Sequence, residues 1–139
     1  MILNRDKLQT TWTEFSFVLK PSILGGVGVF LTHDMPAKTP LFSGKPSSRK
    51  RKIKIKDIPA DFLKYCIFVN DDECLCPERF DCMGIGWYIN HSSDPNIGKN
   101  TDGFITIRAI KAGDEILLDY NELNEPENLK EAYYKASKN

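Results

Sequence analysis

A mainly β fold, built from short strands in small sheets with few short helices, is what this sequence predicts. Three observations lead there. Polar and apolar residues alternate from Thr13 to Leu19. Turn-forming clusters, Asn70-Asp71-Asp72 and Thr101-Asp102-Gly103, separate strand-like runs at hairpin spacing. Helical periodicity is confined to a few short stretches.

The elements follow in order. Thr13-Glu14-Phe15-Ser16-Phe17-Val18-Leu19 reads as a half-buried strand, and Pro21-Ser22 turns it into a glycine segment. Gly26-Val27-Gly28-Val29-Phe30-Leu31 reads as a second strand whose glycines permit close approach by another group. Taken alone, those glycines imply no more than a bulge in an ordinary hairpin. Pro40-Leu41-Phe42-Ser43-Gly44 is a further short strand. Lys64-Tyr65-Cys66-Ile67-Phe68-Val69 and Glu73-Cys74-Leu75-Cys76 form one hairpin, and Ile97 with its neighbours pairs with Phe104-Ile105-Thr106-Ile107-Arg108 in another. Helix is expected over residues 58–65, over 77–88 and, best supported, over 127–136. In the last, Leu129, Ala132, Tyr133 and Ala136 share one face. No internal repeat is visible.

With 139 residues the chain forms a single domain over 1–139, with a basic insert at about 45–65 and a helical tail over 122–139. Lysine plus arginine (19) equal aspartate plus glutamate (19), so no global charge points to nucleic acid or membrane. No apolar run approaches the ~20 residues of a membrane span. The Met1-Ile2-Leu3-Asn4-Arg5-Asp6 start lacks the layout of a secretory signal. An intracellular protein, cytoplasmic or nuclear, is expected. Cys66, Cys74, Cys76 and Cys82 lack paired Cys-x-x-Cys spacing and read as reduced thiols in or near a core.

Two stretches break the even charge. Lys45 to Lys56 holds seven basic residues and no acidic one. It reads either as a solvated edge strand, with Ile53 and Ile55 facing inward, or as a nuclear-targeting or nucleic-acid-contacting patch. Gly113 to Glu131 holds seven acidic residues against Lys130 alone. A solvated turn and helix account for that run, and an acidic rim would also steer a basic peptide.

Two further runs carry the chemistry. Trp87-Tyr88-Ile89-Asn90-His91-Ser92-Ser93-Asp94-Pro95-Asn96 places a cluster of turn-favouring polar residues behind an apolar stretch, the pattern of a polar loop anchored to a core. Gly113-Asp114-Glu115-Ile116-Leu117-Leu118-Asp119-Tyr120 is a turn feeding an apolar strand that delivers one tyrosine hydroxyl to a defined point. Together with Gly26 to Phe30, these runs resemble the SET-domain family of S-adenosylmethionine-dependent protein lysine methyltransferases. The family carries a Gly-x-Gly-aliphatic-Phe strand, an aromatic-Ile-Asn-His-Ser-x-x-Pro-Asn loop and a Gly-acid-Glu-Ile/Leu-x-x-Asp-Tyr strand in this order. Gly26 to Phe30, Tyr88 to Asn96 and Gly113 to Tyr120 match them.

The resemblance implies a SET fold: several small twisted sheets around a knot-like core. It implies S-adenosylmethionine as cofactor, with the backbone of Gly26, Val27, Gly28 and Val29 along its methionine and ribose side. Asn90 and His91 would hold its amino group and adenine. Tyr120 would be the catalytic residue, beside the methyl group, and Phe42, Tyr88, Leu118 and Tyr133 would line the lysine channel. The expected partner is a protein substrate, histone-like or otherwise basic, presenting a lysine. By itself His91 reads as a turn histidine that fixes loop structure, and Tyr120 reads also as a core tyrosine closing a sheet. Glu115 and Asp119 read as structural hydrogen-bond acceptors.

The sequence departs from the family in places. A Tyr-x-Gly strand is here Phe42-Ser43-Gly44, and the arginine before the Asn-His loop is Trp87. Many members carry a cysteine at the position of Ser93 that joins three C-terminal cysteines around zinc. Here no cysteine follows Cys82, so no such metal is expected. At the position two before the tyrosine, where a ring is common, stands Leu118. The resemblance then implies a roomier channel end and di- or trimethylation. The competing readings are a SET-like module that binds cofactor or a basic peptide without turnover, and a nucleic-acid-binding protein acting through the basic run.

Overall fold

The structure, a computed structural model, describes residues 11–42, 50–77, 79–101 and 103–135. Strands β1 (Phe17–Pro21) and β2 (Val27–Leu31) form an antiparallel hairpin with Leu19 opposite Val29. β1 begins later than the alternation suggests because residues 13–16 close a turn of their own: the Thr13 N–H donates to Ser16 Oγ at 2.7 Å. The hairpin turns through Gly25 (φ +104°) and Gly26 (φ +59°), left-handed positions at which a side chain would be strained. β3 (Pro40–Leu41) pairs antiparallel with β9 (Gly103–Thr106), which also pairs with β8 (Ile97–Asn100). This is the expected hairpin near residues 101–103.

A third sheet runs in the order β4 (Lys50–Lys54), β6 (Glu73–Pro77), β5 (Ile67–Phe68). Asn70 makes its β5–β6 turn, its Oδ1 accepting the N–H groups of Asp72 and Glu73 at 2.8 Å each. Basic strand β4 is one edge, and along it and the turn that follows Ile53 and Ile55 are half-buried while Lys52, Lys54 and Lys56 are exposed. Lysines along an edge disfavour pairing with another chain. Lys45 and Arg49 of that run, and Ser43 and Gly44, lie outside the described residues.

Helix is scarcer than periodicity suggests. Residues 58–65 contain the single turn α1 (Ala60–Leu63), and 77–88 contain two 3-10 turns, Phe80–Cys82 and Ile85–Tyr88. The helix expected over 127–136 is instead a 3-10 turn at Glu127–Leu129, followed by Lys130 in an extended conformation (φ −68°, ψ 140°). Isolated helices of this length are marginal in water, and tertiary ties override the pattern here. Lys130 Nζ reaches Asn121 Oδ1 and Glu127 Oε2, both at 2.8 Å. Tyr134 is 6% exposed while Tyr133, on the expected apolar face, is 65% exposed.

Val29, Leu31, Met35, Leu41, Ile89, Ile97, Ile110, Ile116 and Leu118 form one core. At about 1.5–3 kcal/mol for each fully buried aliphatic side chain, this cluster holds the sheets together. Against it lies the fold's least local feature. β7 (Asn90–His91) pairs in parallel with β10 (Leu117–Leu118), Leu117 opposite Asn90 and Leu118 opposite His91. The loop that follows β7 then wraps the β10 segment. Ser92 N–H donates to Leu118 O and Asn96 N–H to Leu117 O. The buried Asn96 side chain donates to Glu115 O and accepts from Leu117 N–H, each at 2.8 Å. This passage is the knot-like core.

Candidate functional site

Two clusters lie on either side of the β7–β10 pairing. The first sits on the glycine strand. Asn90 Nδ2 donates to Val27 O at 2.9 Å and to Glu115 Oε2 at 2.8 Å, while Glu115 Oε1 accepts from the Ser22 hydroxyl at 2.7 Å. The close approach expected at Gly28 has a specific cause: a Cβ there would lie 2.1 Å from Glu115 Oε2. At Gly25 and Gly26, by contrast, nothing lies within 4 Å of where a Cβ would stand. The amide orientation of Asn90 follows from its partners. Both are acceptors, so the NH2 group must face them and the amide oxygen must face away.

The second cluster surrounds Tyr120. Its backbone N–H donates to His91 Nδ1 at 3.0 Å, and its hydroxyl donates to Ile89 O at 2.6 Å. An N–H can only donate, so Nδ1 is unprotonated and a neutral His91 carries its proton on Nε2. Burial lowers the His91 pKa, opposed by the Asp119 carboxylate 3.7 Å away and by the Leu118 backbone. Burial likewise raises the pKa of the Tyr120 hydroxyl, and the neighbouring Tyr133 and the charges of Glu115 and Glu131 act in the same direction. Tyr120 is therefore a neutral phenol at physiological pH and does not act as a phenolate base.

Aromatic rings close around this point. The Tyr120 ring centroid lies 5.2 Å from His91, 6.3 Å from Tyr133 and 5.3 Å from Tyr134. The Tyr134 hydroxyl donates to the buried Glu125 carboxylate, which also accepts the Phe68 N–H at 2.8 Å. Asn121 Nδ2 donates to both Asp119 Oδ1 and Tyr134 O at 2.7 Å. These bonds fasten the C-terminal segment over the Tyr120 end of the fold.

The sequence-derived residues thus divide. Asn90, Val27 and Gly28 meet at the first cluster, and His91, Tyr120 and Tyr133 at the second. Val29 is fully buried in the core and its carbonyl accepts the Ile116 N–H at 2.8 Å, so it presents no surface to a ligand. Phe42 packs with Trp12, Phe17 and Phe104, at centroid separations of 5.8, 4.9 and 5.9 Å, and holds a left-handed φ of +60°. Tyr88 packs against the core with its ring 6.2 Å from Phe80. Leu118, 3% exposed, is a core residue, so a tyrosine there would have to displace packed side chains. Ser22, Asn121 and Glu125 escaped the sequence reading as site residues, since nothing local ties them to the motifs. Glu115 is the structural acceptor expected of it.

In the β4–β6–β5 sheet the Cys66 and Cys76 sulfurs are 3.2 Å apart, and burial pushes the Cys74 thiol up to about 11. Among the described residues no cluster of three or more His, Cys, Asp or Glu could hold a metal, and no helix is long and apolar enough to cross a membrane.

Comparison with known proteins agrees with this fold. The SET domain family matches residues 26–121, which contain every motif named above, and the chain belongs to that family. Solved structures with a similar fold include a crystal structure of a Plasmodium falciparum putative histone methyltransferase. It is 25% identical, with a TM-score of 0.50, over 75% of this chain and 96% of that one. No curated protein matches the sequence.

The state of His91 sets a pH dependence. The unfolded imidazole titrates near 6.5, and the folded one lower. As pH falls through about 6.5 the unfolded chain therefore takes up a proton that the folded chain resists, so stability is full above that pH and declines below it. Thermal melts from pH 8 to pH 5 should show this decline. His91→Gln, whose amide oxygen can accept the Tyr120 N–H, should flatten it.

Proposed function

We propose that this protein methylates lysine side chains of a protein substrate, with S-adenosylmethionine as methyl donor and Tyr120 at the reacting centre. The observation that carries the reading is the adjacency of two unlike environments at the β7–β10 pairing: a polar cluster at Asn90 and an aromatic cluster at Tyr120. The residues of the cleft fit the cofactor. Open space borders Gly25 and Gly26, and the Asn90 amide oxygen faces away from the strand as an acceptor for an ammonium group. Across the β7–β10 pairing, neutral His91, whose Nδ1 is taken by the Tyr120 N–H, keeps an Nε2 proton to donate to the adenine. When bound, S-adenosylmethionine supplies an electrophilic methyl group on a sulfonium.

The chain's own part is positioning and desolvation. A lysine must arrive neutral, against an unperturbed pKa of about 10.4. Enclosure by Tyr120, Tyr133 and Tyr134 disfavours the ammonium form and guides the apolar stem. Donation of the Tyr120 proton to Ile89 O leaves the phenolic oxygen's lone pairs to face the reacting groups. A basic substrate segment matches the acidic run from Gly113 to Glu131, and the cell's interior, cytoplasm or nucleus, is the setting such a substrate implies. Contact of the basic edge strand with nucleic acid is a separate proposal for β4.

Incubation with labelled S-adenosylmethionine and histones or cell extract tests the reading, and transfer of label to a protein band is expected. Calorimetry should give micromolar cofactor affinity, of order −8 kcal/mol, weakened by roughly 1.5–3 kcal/mol in Asn90→Ala. The second reading, a module that binds without turnover, draws on Phe42, which brings no hydroxyl and packs with Trp12 and Phe17. Binding without transfer of label would establish it, and absence of both would overturn both.

A further inference from the structure

We infer that Glu115 is a positioning residue for the ligand cleft: its carboxylate, anchored by Ser22 and seated over Gly28, locks the Asn90 side chain so that the amide oxygen faces outward as an acceptor. The inference rests on the proposed cofactor reading, in which that acceptor meets the ammonium group of S-adenosylmethionine.

Four features support it. The Glu115 backbone is fixed on both sides, because Leu31 N–H donates to Asp114 O at 3.0 Å and Ile116 N–H to Val29 O at 2.8 Å. Its side chain is fixed at both oxygens, by Ser22 from the hairpin turn at 2.7 Å and by Asn90 at 2.8 Å. Gly28 leaves the room in which the carboxylate sits, since a Cβ would stand 2.1 Å from Oε2. Finally, the two Asn90 N–H bonds go to Val27 O and Glu115 Oε2. A flipped amide would set its oxygen against a carbonyl and a carboxylate at once, which is repulsive. With Glu115 gone only the Val27 carbonyl constrains Asn90. The amide then samples other rotamers, and ligand binding must order it.

A double-mutant cycle read by calorimetry tests this, with S-adenosylhomocysteine, which carries the same ammonium group, as the probe. Asn90→Ala and Glu115→Ala should each weaken binding about 10-fold or more, and the double variant should lose little beyond either single one, because both remove the same oriented acceptor. Glu115→Gln should bind within about 3-fold of the parent, as its oxygen can accept from Asn90 while its amide donates to Ser22 Oγ. Rescue of this kind separates orientation from charge. Should Glu115→Ala fail to fold, Ser22→Ala, which frees one carboxylate oxygen, is expected to give a smaller loss, and the Asn90 side-chain amide resonances should shift in that variant. A folded Glu115→Ala that binds as the parent does, single losses that multiply, or unmoved Asn90 resonances would overturn the inference alone. A parent protein without affinity for the probe would overturn the cofactor reading and this inference with it.

Discussion

Tyr120→Phe is expected to lower methyl transfer by about 100-fold or more while leaving cofactor affinity within a few-fold of the parent. The ring remains, so contacts at 5–6 Å with His91, Tyr133 and Tyr134 persist. So does the backbone bond from Tyr120 N–H to His91. What is lost, on the proposed reading, is one preorganised oxygen at the reacting centre, and groups of that kind are worth about 10²–10³ in rate. The loss should therefore fall on turnover rather than on KM. A second, smaller effect is also expected. The hydroxyl donates to Ile89 O, and Ile89 is a core residue, so its removal should cost about 1 kcal/mol of stability. Parallel single-turnover assays, titrations and melts read these quantities separately. A variant whose rate falls only as far as its folded fraction would assign Tyr120 to the core and not to the chemistry.

Asn96→Ala should be the most destabilising of the polar substitutions. The side chain is 6% exposed and serves two backbone groups of another segment, Glu115 O and Leu117 N–H, each at 2.8 Å. Alanine leaves both buried and unsatisfied, at about 1–3 kcal/mol apiece. A loss of roughly 2–4 kcal/mol, or about 10 °C in Tm for a domain of this size, is expected. Asn96→Asp should not restore it, since a carboxylate oxygen would then face the Glu115 carbonyl. Denaturant unfolding compared with Asn90→Ala gives the contrast, because Asn90 lies at the cleft and its loss should leave global stability nearly unchanged. Equal destabilisation by the two would mean that the loop is not held through Asn96.

Much of this was legible in the chain, and what was legible was local. Asn70 signals its own turn because its side chain replaces a backbone acceptor two and three residues on. The polar run behind Ile89 reads as a loop pinned to a core, and it is. The glycine at 28 reads as a place of close approach, although only the structure identifies Glu115 as the group that approaches. The failures share one origin. A tail with an apolar face at helical spacing is not a helix because Lys130 is drawn to Asn121 and Tyr134 to Glu125. Neither tie leaves any trace in periodicity. Phe42, placed at the channel by the resemblance to the family's Tyr-x-Gly strand, also packs its ring among Trp12, Phe17 and Phe104, a cluster assembled from three separate segments that the sequence does not reveal.

The parallel pairing at the centre of the fold has a kinetic meaning. The Tyr120 hydroxyl and its Ile89 acceptor are 31 residues apart, and Ser22 and Glu115 are separated by 93. Contacts this distant reward the chain only after the loop-closure entropy has been met, which places them late in folding and makes high-contact-order topologies slow. Both halves of the site depend on such distant contacts. A ligand that bridges the halves therefore binds the native state alone and raises its stability by mass action, by about 2.7 kcal/mol at a hundred times Kd. On the proposed cofactor reading, methyl-donor supply and survival against proteolysis become linked quantities, and the concentration that saturates the site also sets how long the fold lasts.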